Sequence, residues 1–309
     1  MKRAVASLIA AALLVAGVAA QDTAKLTSLN SAQAEELVAK RKGTLKLDGL
    51  TTLSSEVAAA LAKHEGELSL DGLTTLSPEA AAALAQHKPV PRFGAADLSL
   101  GGLTTLAPET AAALATHQGA LALKSLTTLD SLPLAKKLAA QWGELQLNGL
   151  TTLSPDITEA LAKNEGVLED RTRPGVVQRR ADRAPSVLRF DRLTALSPET
   201  AGALSKQKGV LVLNGLSSLS PEVAKALAKH EGTLVLNGLN ALSPETAAAL
   251  ATCPGELVLR AVIELPTAAA EALANHKSGL YLTNVTNLSP TARTVLRTNP
   301  RIRLPSEAR

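Results

Sequence analysis

The side chains best suited to metal binding or acid–base chemistry are five histidines, and all of them fall on one position of an internal repeat. They are His64, His87, His117, His230 and His276. Imidazoles on successive repeats could form a metal ladder, but other repeats carry different residues at that position: Asn164, Gln207, Cys253 and Asn299. The shared property is hydrogen bonding where a helix ends, beside carbonyls without an intrahelical partner. The pattern therefore predicts helix-end capping, with no metal and no cofactor.

Other catalytic patterns are missing from the sequence. It has no Gly-rich phosphate loop, no cysteine–histidine cluster and no G-x-S-x-G turn. The acids of the recurring Ser-Pro-Glu motifs are too regular to form a catalytic pair, and they suit the positive end of a helix. We therefore predict that the protein is not an enzyme.

A basic segment interrupts the repeats between Leu168 and Arg192, where seven arginines face four acids. The candidate anion-binding residues are Arg171, Arg173, Arg179, Arg180 and Arg183. This charge would suit an acidic polymer such as an envelope polysaccharide. A solvated insertion between repeats and a degenerate repeat would explain the same composition.

All of these residues are positioned by a repeat that is mostly 23 residues long. Its first leucine recurs at Leu45, Leu68, Leu98, Leu121, Leu145, Leu188, Leu211, Leu234, Leu257 and Leu280. Two steps are longer: seven residues are added between Leu68 and Leu98, and the step from Leu145 to Leu188 spans 43 residues.

Each repeat predicts one strand and one helix. Leucines alternate with polar residues at Leu45 and Leu47, as in a strand with one buried face, and Asp-Gly or Asn-Gly then forms a turn. Ser-Pro-Glu (77–79) is a helix start with a capping hydroxyl and a proline at the first helical position. An Ala-rich segment follows with helical spacing, and a glycine such as Gly66 or Gly232 is expected to stop the helix.

The order L-x-L-x-G-L-T-x-L-S-P-E-x-A-x-A-L-A resembles the leucine-rich repeat, and it is similar to the cysteine-containing subtype. Leucine stands where that subtype has cysteine, at Leu50, Leu73, Leu103, Leu150, Leu216 and Leu239. Hydrogen bonds between coils are therefore expected from the strands and from paired threonines such as Thr51-Thr52. The resemblance implies an α/β repeat solenoid, a right-handed superhelix with a parallel sheet on one face and short helices on the other. It also implies a binding role and transfers no catalytic residue.

The predicted organisation begins with a signal peptide at 1–20, because Lys2 and Arg3 precede a short apolar run and small residues end it. An uncleaved anchor is the alternative, and no second span follows. Next come a capping half-repeat (21–43), the first repeats (44–166, with an insertion at 89–96), the Arg-rich segment (167–186), the second repeats (187–300) and a C-terminal cap (301–309). Export is expected, and the single cysteine excludes an internal disulfide.

Outward-facing strand positions carry the candidate binding surface: Arg189, Val210, Val212, Val235, Val258 and Tyr281. This stripe fits a protein contact or self-association, although valine also simply favours strands. Without the first 20 residues, 30 basic residues face 28 acids, a net charge of +2 that predicts no nucleic-acid partner. The favoured hypothesis is an exported, non-catalytic binding or scaffold protein with a protein partner. A self-associating envelope component and a polyanion-binding module are the alternatives.

Overall fold

A computed structural model describes residues 23–88, 96–141, 144–164 and 186–305, with the backbone of 168–169 and 177–178. The predicted signal peptide and the insertion residues 89–95 lie outside the described residues. The chain divides into two compact units, Met1–Leu126 (unit 1) and Thr127–Arg309 (unit 2).

The strands are two to four residues long. In unit 1 they are β1 (Leu45–Lys46), β2 (Leu68–Ser69), β3 (Leu98–Ser99) and β4 (Leu121–Ala122). In unit 2 they are β5 (Glu144–Gln146), β6 (Leu168–Glu169), β7 (Val177–Gln178), β8 (Val187–Phe190), β9 (Val210–Leu213), β10 (Thr233–Val235), β11 (Leu257–Val258), β12 (Leu280–Tyr281) and β13 (Ile302–Arg303). The order β1-β2-β3-β4 in unit 1 and β5-β8-β9-β10-β11-β12-β13 in unit 2 makes two sheets of sequential parallel strands.

The helices are short and follow the strands in turn. In unit 1 they are α1 (Ser31–Lys40), α2 (Ser55–Leu61), α3 (Pro78–Leu84) and α4 (Pro108–Ala115). In unit 2 they are α5 (Leu132–Ala139), α6 (Pro155–Ala162), α7 (Pro198–Leu204), α8 (Pro221–Leu227), α9 (Pro244–Ala251), α10 (Thr267–Ala274) and α11 (Pro290–Arg297). Within each unit, consecutive helices pack against each other. Each unit is therefore an α/β repeat solenoid, which confirms the predicted fold class.

The recurring leucines form the core between the sheet and the helices. Leu45, Leu47 and Leu50 are buried, as are Val57 and Leu61 on the helix of the same coil. The parallel register pairs Leu45 with Leu68 and the later repeats likewise. A single coil cannot bury its leucines fully by itself. The core is closed only when neighbouring coils stack on both sides.

The two long steps of the repeat do not disturb the register of the sheets. Leu68 pairs with Leu98 across the first insertion, and Leu145 pairs with Leu188 across the second. Within the Arg-rich segment, β6 pairs with β7 as a separate antiparallel pair. No described strand of this segment enters the parallel sheet.

Gly66 and Gly232 do not stop the helices before them by adopting a left-handed conformation. Among the described residues, Gly43 is the only one with a positive φ, at 81°. Gly66 lies in close contact with the preceding coil, because a Cβ added there would lie 1.8 Å from the Gly43 oxygen. Gly232 has the same contact with Gly209, at 1.9 Å. The expectation of a glycine stop is thus corrected: these glycines allow two coils to approach.

Candidate binding surface

The candidate stripe lies on the sheet face of unit 2, on five successive strands. The parallel register sets Arg189 beside Val212, Val212 beside Val235, Val235 beside Val258 and Val258 beside Tyr281. Neighbouring strands are about 4.8 Å apart, so these side chains touch along a row. Val210 lies in the adjoining column, where it pairs with Val187 and Thr233.

The row is less open to solvent than isolated outward valines would be. Val212 is 3% exposed and Val258 is 8% exposed, whereas Val210, Val235 and Tyr281 are half-buried. The expectation of freely exposed valines is therefore corrected for Val212 and Val258. The reason is lateral packing, since each of these valines has a large neighbour on both sides of its strand.

Arg189 closes one end of the row and is held by acids. Its Nε donates to Glu144 Oε1 at 2.9 Å, and its guanidinium lies 3.8 Å from Asp191 Oδ1. The side chains of Arg189 and Glu144 are 32% and 38% exposed, so this pair is partly screened by solvent. Arg189 is thus a charged border of the stripe whose guanidinium is already paired within the chain.

Unit 1 presents a polar row at the equivalent position. Lys46 pairs with Ser69, Ser69 with Ser99 and Ser99 with Ala122. The two sheet faces therefore differ in chemistry although their backbone registers are the same. The five candidate anion-binding arginines, Arg171, Arg173, Arg179, Arg180 and Arg183, lie outside the described residues.

A column of Asp and Asn at the ends of the strands links the coils, and the sequence interpretation had missed it. Asp48 Oδ1 accepts from Ser69 Oγ at 2.6 Å and from the Asp71 N–H at 3.0 Å. Asp71 Oδ1 in turn accepts from Ser99 Oγ at 2.6 Å and from the Gly101 N–H at 2.7 Å. This ladder supplies polar links between coils, which the apolar side chain of Leu50 cannot make.

The ladder continues in unit 2, and threonine backbones supplement it. Asn214 Nδ2 donates to Asp191 Oδ1 at 2.8 Å, and the Arg260 N–H donates to Asn237 Oδ1 at 3.1 Å. The Thr74 N–H donates to the Thr51 oxygen at 3.1 Å, as expected for the paired threonines. The signal that could have revealed the ladder is the recurrence of Asp or Asn three residues after the first leucine. From the sequence alone, these residues are expected only to form turns.

The pKa of the ladder acid Asp71 and the pKa values of the acids at helix starts are lowered by different groups. Burial raises the pKa of Asp71, but Lys124, the Ser99 hydroxyl and the Gly101 N–H outweigh it and hold that pKa below its usual value. The Lys124 Nζ lies 2.7 Å from Asp71 Oδ2. At the starts of α7, α8 and α9, the backbone N–H and then the N-cap serine lower the pKa of Glu199, Glu222 and Glu245. These acids are helix-start charges.

The histidine column is buried and contacts the preceding coil. His64 Nε2 lies 2.7 Å from the Gly43 oxygen, and His117 Nδ1 lies 3.3 Å from the Ala85 oxygen at the end of α3. Gln207 and Asn299 hold the same position with amide donors: Gln207 Nε2 lies 2.9 Å from Ser186 Oγ, and Asn299 Nδ2 lies 2.9 Å from the Ala274 oxygen. His117 and Asn299 contact helix-end carbonyls as predicted, but these carbonyls belong to the coil before, and His64 and Gln207 contact other polar atoms of that coil.

The column offers no metal-binding geometry in the described part of the chain. No three His, Cys, Asp or Glu side chains of those residues lie close enough together to hold a metal ion. Cys253 occupies the column as a buried thiol whose Sγ donates to the His230 oxygen at 3.3 Å. Across the described residues, no helix combines the length and the apolar composition that crossing a bilayer would require.

Comparison with known proteins adds little to this geometry. No protein-family model matches the chain, and no curated protein matches it at a significant level. Among solved structures, the chain is similar to an internalin (inlF) from Listeria monocytogenes, with 15% sequence identity and a TM-score of 0.45. The match covers 93% of this chain and 85% of the internalin. Because an overlap of this size does not establish a shared fold, the fold assignment rests on the strand pairing and helix packing of the chain itself.

Proposed function

We propose that this chain is an exported, non-catalytic binding protein that contacts a protein partner through the sheet face of unit 2. The observation that carries the proposal is the continuous apolar row Val212–Val235–Val258–Tyr281, in register on four successive strands. The equivalent row of unit 1 is polar, so strand formation alone does not require valine at these positions.

The packing of the row favours binding in a second way. A flexible apolar side chain loses conformational entropy when a partner immobilises it, at a cost of roughly 0.5–1.5 kcal/mol for a rotamer-rich side chain. Val212 and Val258 are already held by their neighbours, and valine has only one side-chain torsion between heavy atoms. Val235 and Tyr281, the half-buried members of the row, thus form the accessible part of a preorganised surface. This surface is bordered by the paired Arg189 and Glu144 and suits an apolar segment of another protein.

Export is the second part of the proposal. Its support is the basic start at Lys2 and Arg3, the apolar run and the small residues before Gln21. N-terminal sequencing of the protein recovered outside the cytoplasm tests it: a mature chain that begins near Gln21 is expected. A full-length chain recovered only with cytoplasmic material would refute export.

The binding role is tested with Val235→Lys on the row and Ser69→Lys at the equivalent position of unit 1. Both changes add the same charge to a sheet face. Ser69→Lys also removes the hydrogen bond from Ser69 Oγ to Asp48, so the folding control must hold for both variants. In capture experiments from the envelope fraction of the producing organism, Val235→Lys is expected to lose proteins that wild type and Ser69→Lys retain. Unchanged circular dichroism of both variants controls for folding. Equal capture by both variants would refute the assignment of the binding face to unit 2.

Self-association through the same row is the competing use of this surface. Sedimentation of the mature chain over a wide concentration range separates the two. A concentration-independent monomer supports a distinct protein partner. An oligomer that Val235→Lys dissociates and Ser69→Lys leaves intact would replace that partner with a second copy of this chain.

A further inference from the structure

Three histidines on consecutive coils of unit 1 form one buried cluster. His64, His87 and His117 are each 1% exposed. The ring centroids of His87 and His117 lie 6.1 Å apart, and a charge on His64 acts on His87 from the other side. Protonation of all three rings would therefore place three positive charges in one buried column.

The contacts of these rings are suited to the neutral form. A carbonyl oxygen only accepts, so His64 Nε2 and His117 Nδ1 donate to the Gly43 and Ala85 oxygens. A neutral imidazole has one N–H, and one carbonyl is enough to satisfy it. The Gly66 carbonyl interacts with His87, but neither ring nitrogen of His87 makes a hydrogen bond of ordinary geometry with a described residue.

The charged groups around the cluster cannot balance three protons. Asp97 is a buried acid that favours the charged form of His87. Its carboxylate also approaches the His117 ring, because a Cβ built at Gly119 would meet Asp97 Oδ2 and His117 Nε2 together, at 2.5 and 2.8 Å. Glu65 attracts His64, but it is exposed and lies 3.0 Å from the Lys42 ammonium.

Positive charge also lies nearby. Lys42 and Lys88 both lower the pKa of Glu65, so the charge of that carboxylate is already offset by lysines. Asp97 is thus the buried counter-charge in the described surroundings of the cluster, and it can offset about one of three protonated rings.

We propose that the His64–His87–His117 cluster makes unit 1 an acid-labile element, whose coils open by proton uptake at a higher pH than those of unit 2. This inference concerns the conformation of unit 1 and is independent of the partner-binding row in unit 2.

Unit 2 has the same column without a run of three histidines. His230 and His276 are separated by the coil that carries Cys253, whose buried thiol is neutral. His230 also has a carbonyl beside each ring nitrogen, Ser205 at 3.3 Å and Gly209 at 3.1 Å. Burial lowers the pKa of His230, but a protonated ring could donate to both carbonyls, and these contacts partly offset the effect of burial. Asn164, Gln207 and Asn299 fill the other described column positions of unit 2 and do not titrate.

The direction of the pH effect follows from burial. Burial lowers the pKa of His87 below its ordinary value of 6.5, and the repulsion from His64 lowers it further. The unfolded chain therefore binds the proton at a higher pH than the folded chain does. Stability is complete above about pH 6.5 and falls as the pH drops below that value.

The experiment is hydrogen exchange of the full chain, measured by mass spectrometry from about pH 7.5 to pH 5 and corrected for intrinsic exchange rates. Peptides from 45–123 report on unit 1, and peptides from 187–303 report on unit 2. Protection of unit 1 is expected to fall by about tenfold or more, and that of unit 2 by clearly less. Equal losses in the two units, or no loss in unit 1, would overturn the proposal.

Substitutions taken from unit 2 identify the groups responsible. The variant His64→Asn, His87→Gln and His117→Asn is expected to keep its unit 1 protection at pH 5. A loss as large as that of wild type would assign the effect to carboxylates and overturn the proposal. Should the triple variant fail to fold, His87→Gln alone is expected to reduce the pH dependence of unit 1, because His87 lies between the other two rings. An unchanged dependence would contradict the cluster.

Cys253→His gives the converse test, because it creates three consecutive histidines in unit 2. This variant is expected to make protection of unit 2 fall in acid as unit 1 does, while its protection at pH 7.5 remains close to wild type. An acid response of unit 2 that does not change would show that consecutive histidines are not the cause.

Discussion

Replacing Asp71 by alanine tests whether the Asp and Asn ladder holds neighbouring coils together. The side chain accepts from Ser99 Oγ and the Gly101 N–H, and it pairs with Lys124. It is 24% exposed, so each of the two hydrogen bonds is worth about 1 kcal/mol, below the usual range for bonds to a buried charge. The exposed Lys124 pair adds about 0.5 kcal/mol. We expect Asp71→Ala to lower the free energy of unfolding by about 2–3 kcal/mol.

Urea unfolding followed by far-UV circular dichroism measures this loss. With an m-value of about 2–3 kcal/mol/M, the midpoint of unfolding should fall by roughly 1 M. Asp71→Asn keeps an acceptor for both hydrogen bonds and loses the ion pair, so about 1 kcal/mol or less is expected. Asn237→Ala is the matched control, since Asn237 accepts one ladder bond, from the Arg260 N–H, and should cost about 1 kcal/mol. No measurable loss for either Asp71→Ala or Asn237→Ala would refute the ladder as a source of stability.

The charge of Asp71 also predicts a pH dependence with a definite sign. Its pKa is lower in the folded chain than the ordinary value of 3.8. The carboxylate therefore stabilises the fold above that value, and this contribution is lost as the pH falls through the lowered pKa. The stability difference between wild type and Asp71→Asn should be constant from neutral pH to about pH 5 and shrink below about pH 4. A difference that grows in acid would contradict the assignment.

Two further outcomes follow from single contacts. Ser220→Ala should cost about 1 kcal/mol in the same urea experiment, because Ser220 Oγ accepts from the Val223 N–H, whereas Ser154→Ala should cost clearly less, because Ser154 makes no such bond at the start of α6. Equal costs would show that the capping bond is not what stabilises these helix starts. Burial raises the pKa of the Cys253 thiol, so a thiol reagent should label the native chain at least about tenfold more slowly than the chain in urea. Comparable rates would mean that the coil around Cys253 opens readily.

The fold could be predicted from the sequence because the strand, helix-start and helix signals within each repeat are consistent with one another. Leucines two residues apart, Ser-Pro-Glu and the Ala-rich segment each specify one element, and the same order recurs throughout most of the chain. The observed α3, which begins at Pro78 with Ser77 as its N-cap, follows that pattern. Asn30 and Gln33 form a reciprocal capping box at the start of α1.

The features that the sequence did not reveal all depend on contacts between coils. Asp71 looks like a turn residue within its own repeat, and only the register with Ser99 and Gly101 makes it a link. Gly66 looks like a helix stop, but the Gly43 carbonyl is what excludes a side chain there. Val212 looks exposed by strand alternation and is covered by its lateral neighbours. The sequence pattern specifies on which face of the sheet a residue lies, whereas the packing of the next coil decides how much of its side chain stays exposed to solvent.

In the column that holds the histidines, the contacts that join neighbouring coils do not depend on whether the side chain can titrate. His64, Gln207, Cys253 and Asn299 occupy equivalent positions, and each contacts a polar atom of the preceding coil. The contact requires a buried donor and is indifferent to whether that donor titrates. Substitution among these residue types can therefore change the response to acid while the stacking of coils is kept. Because unit 1 carries three histidines in succession and unit 2 does not, the two units can differ in acid stability although they share one repeat design.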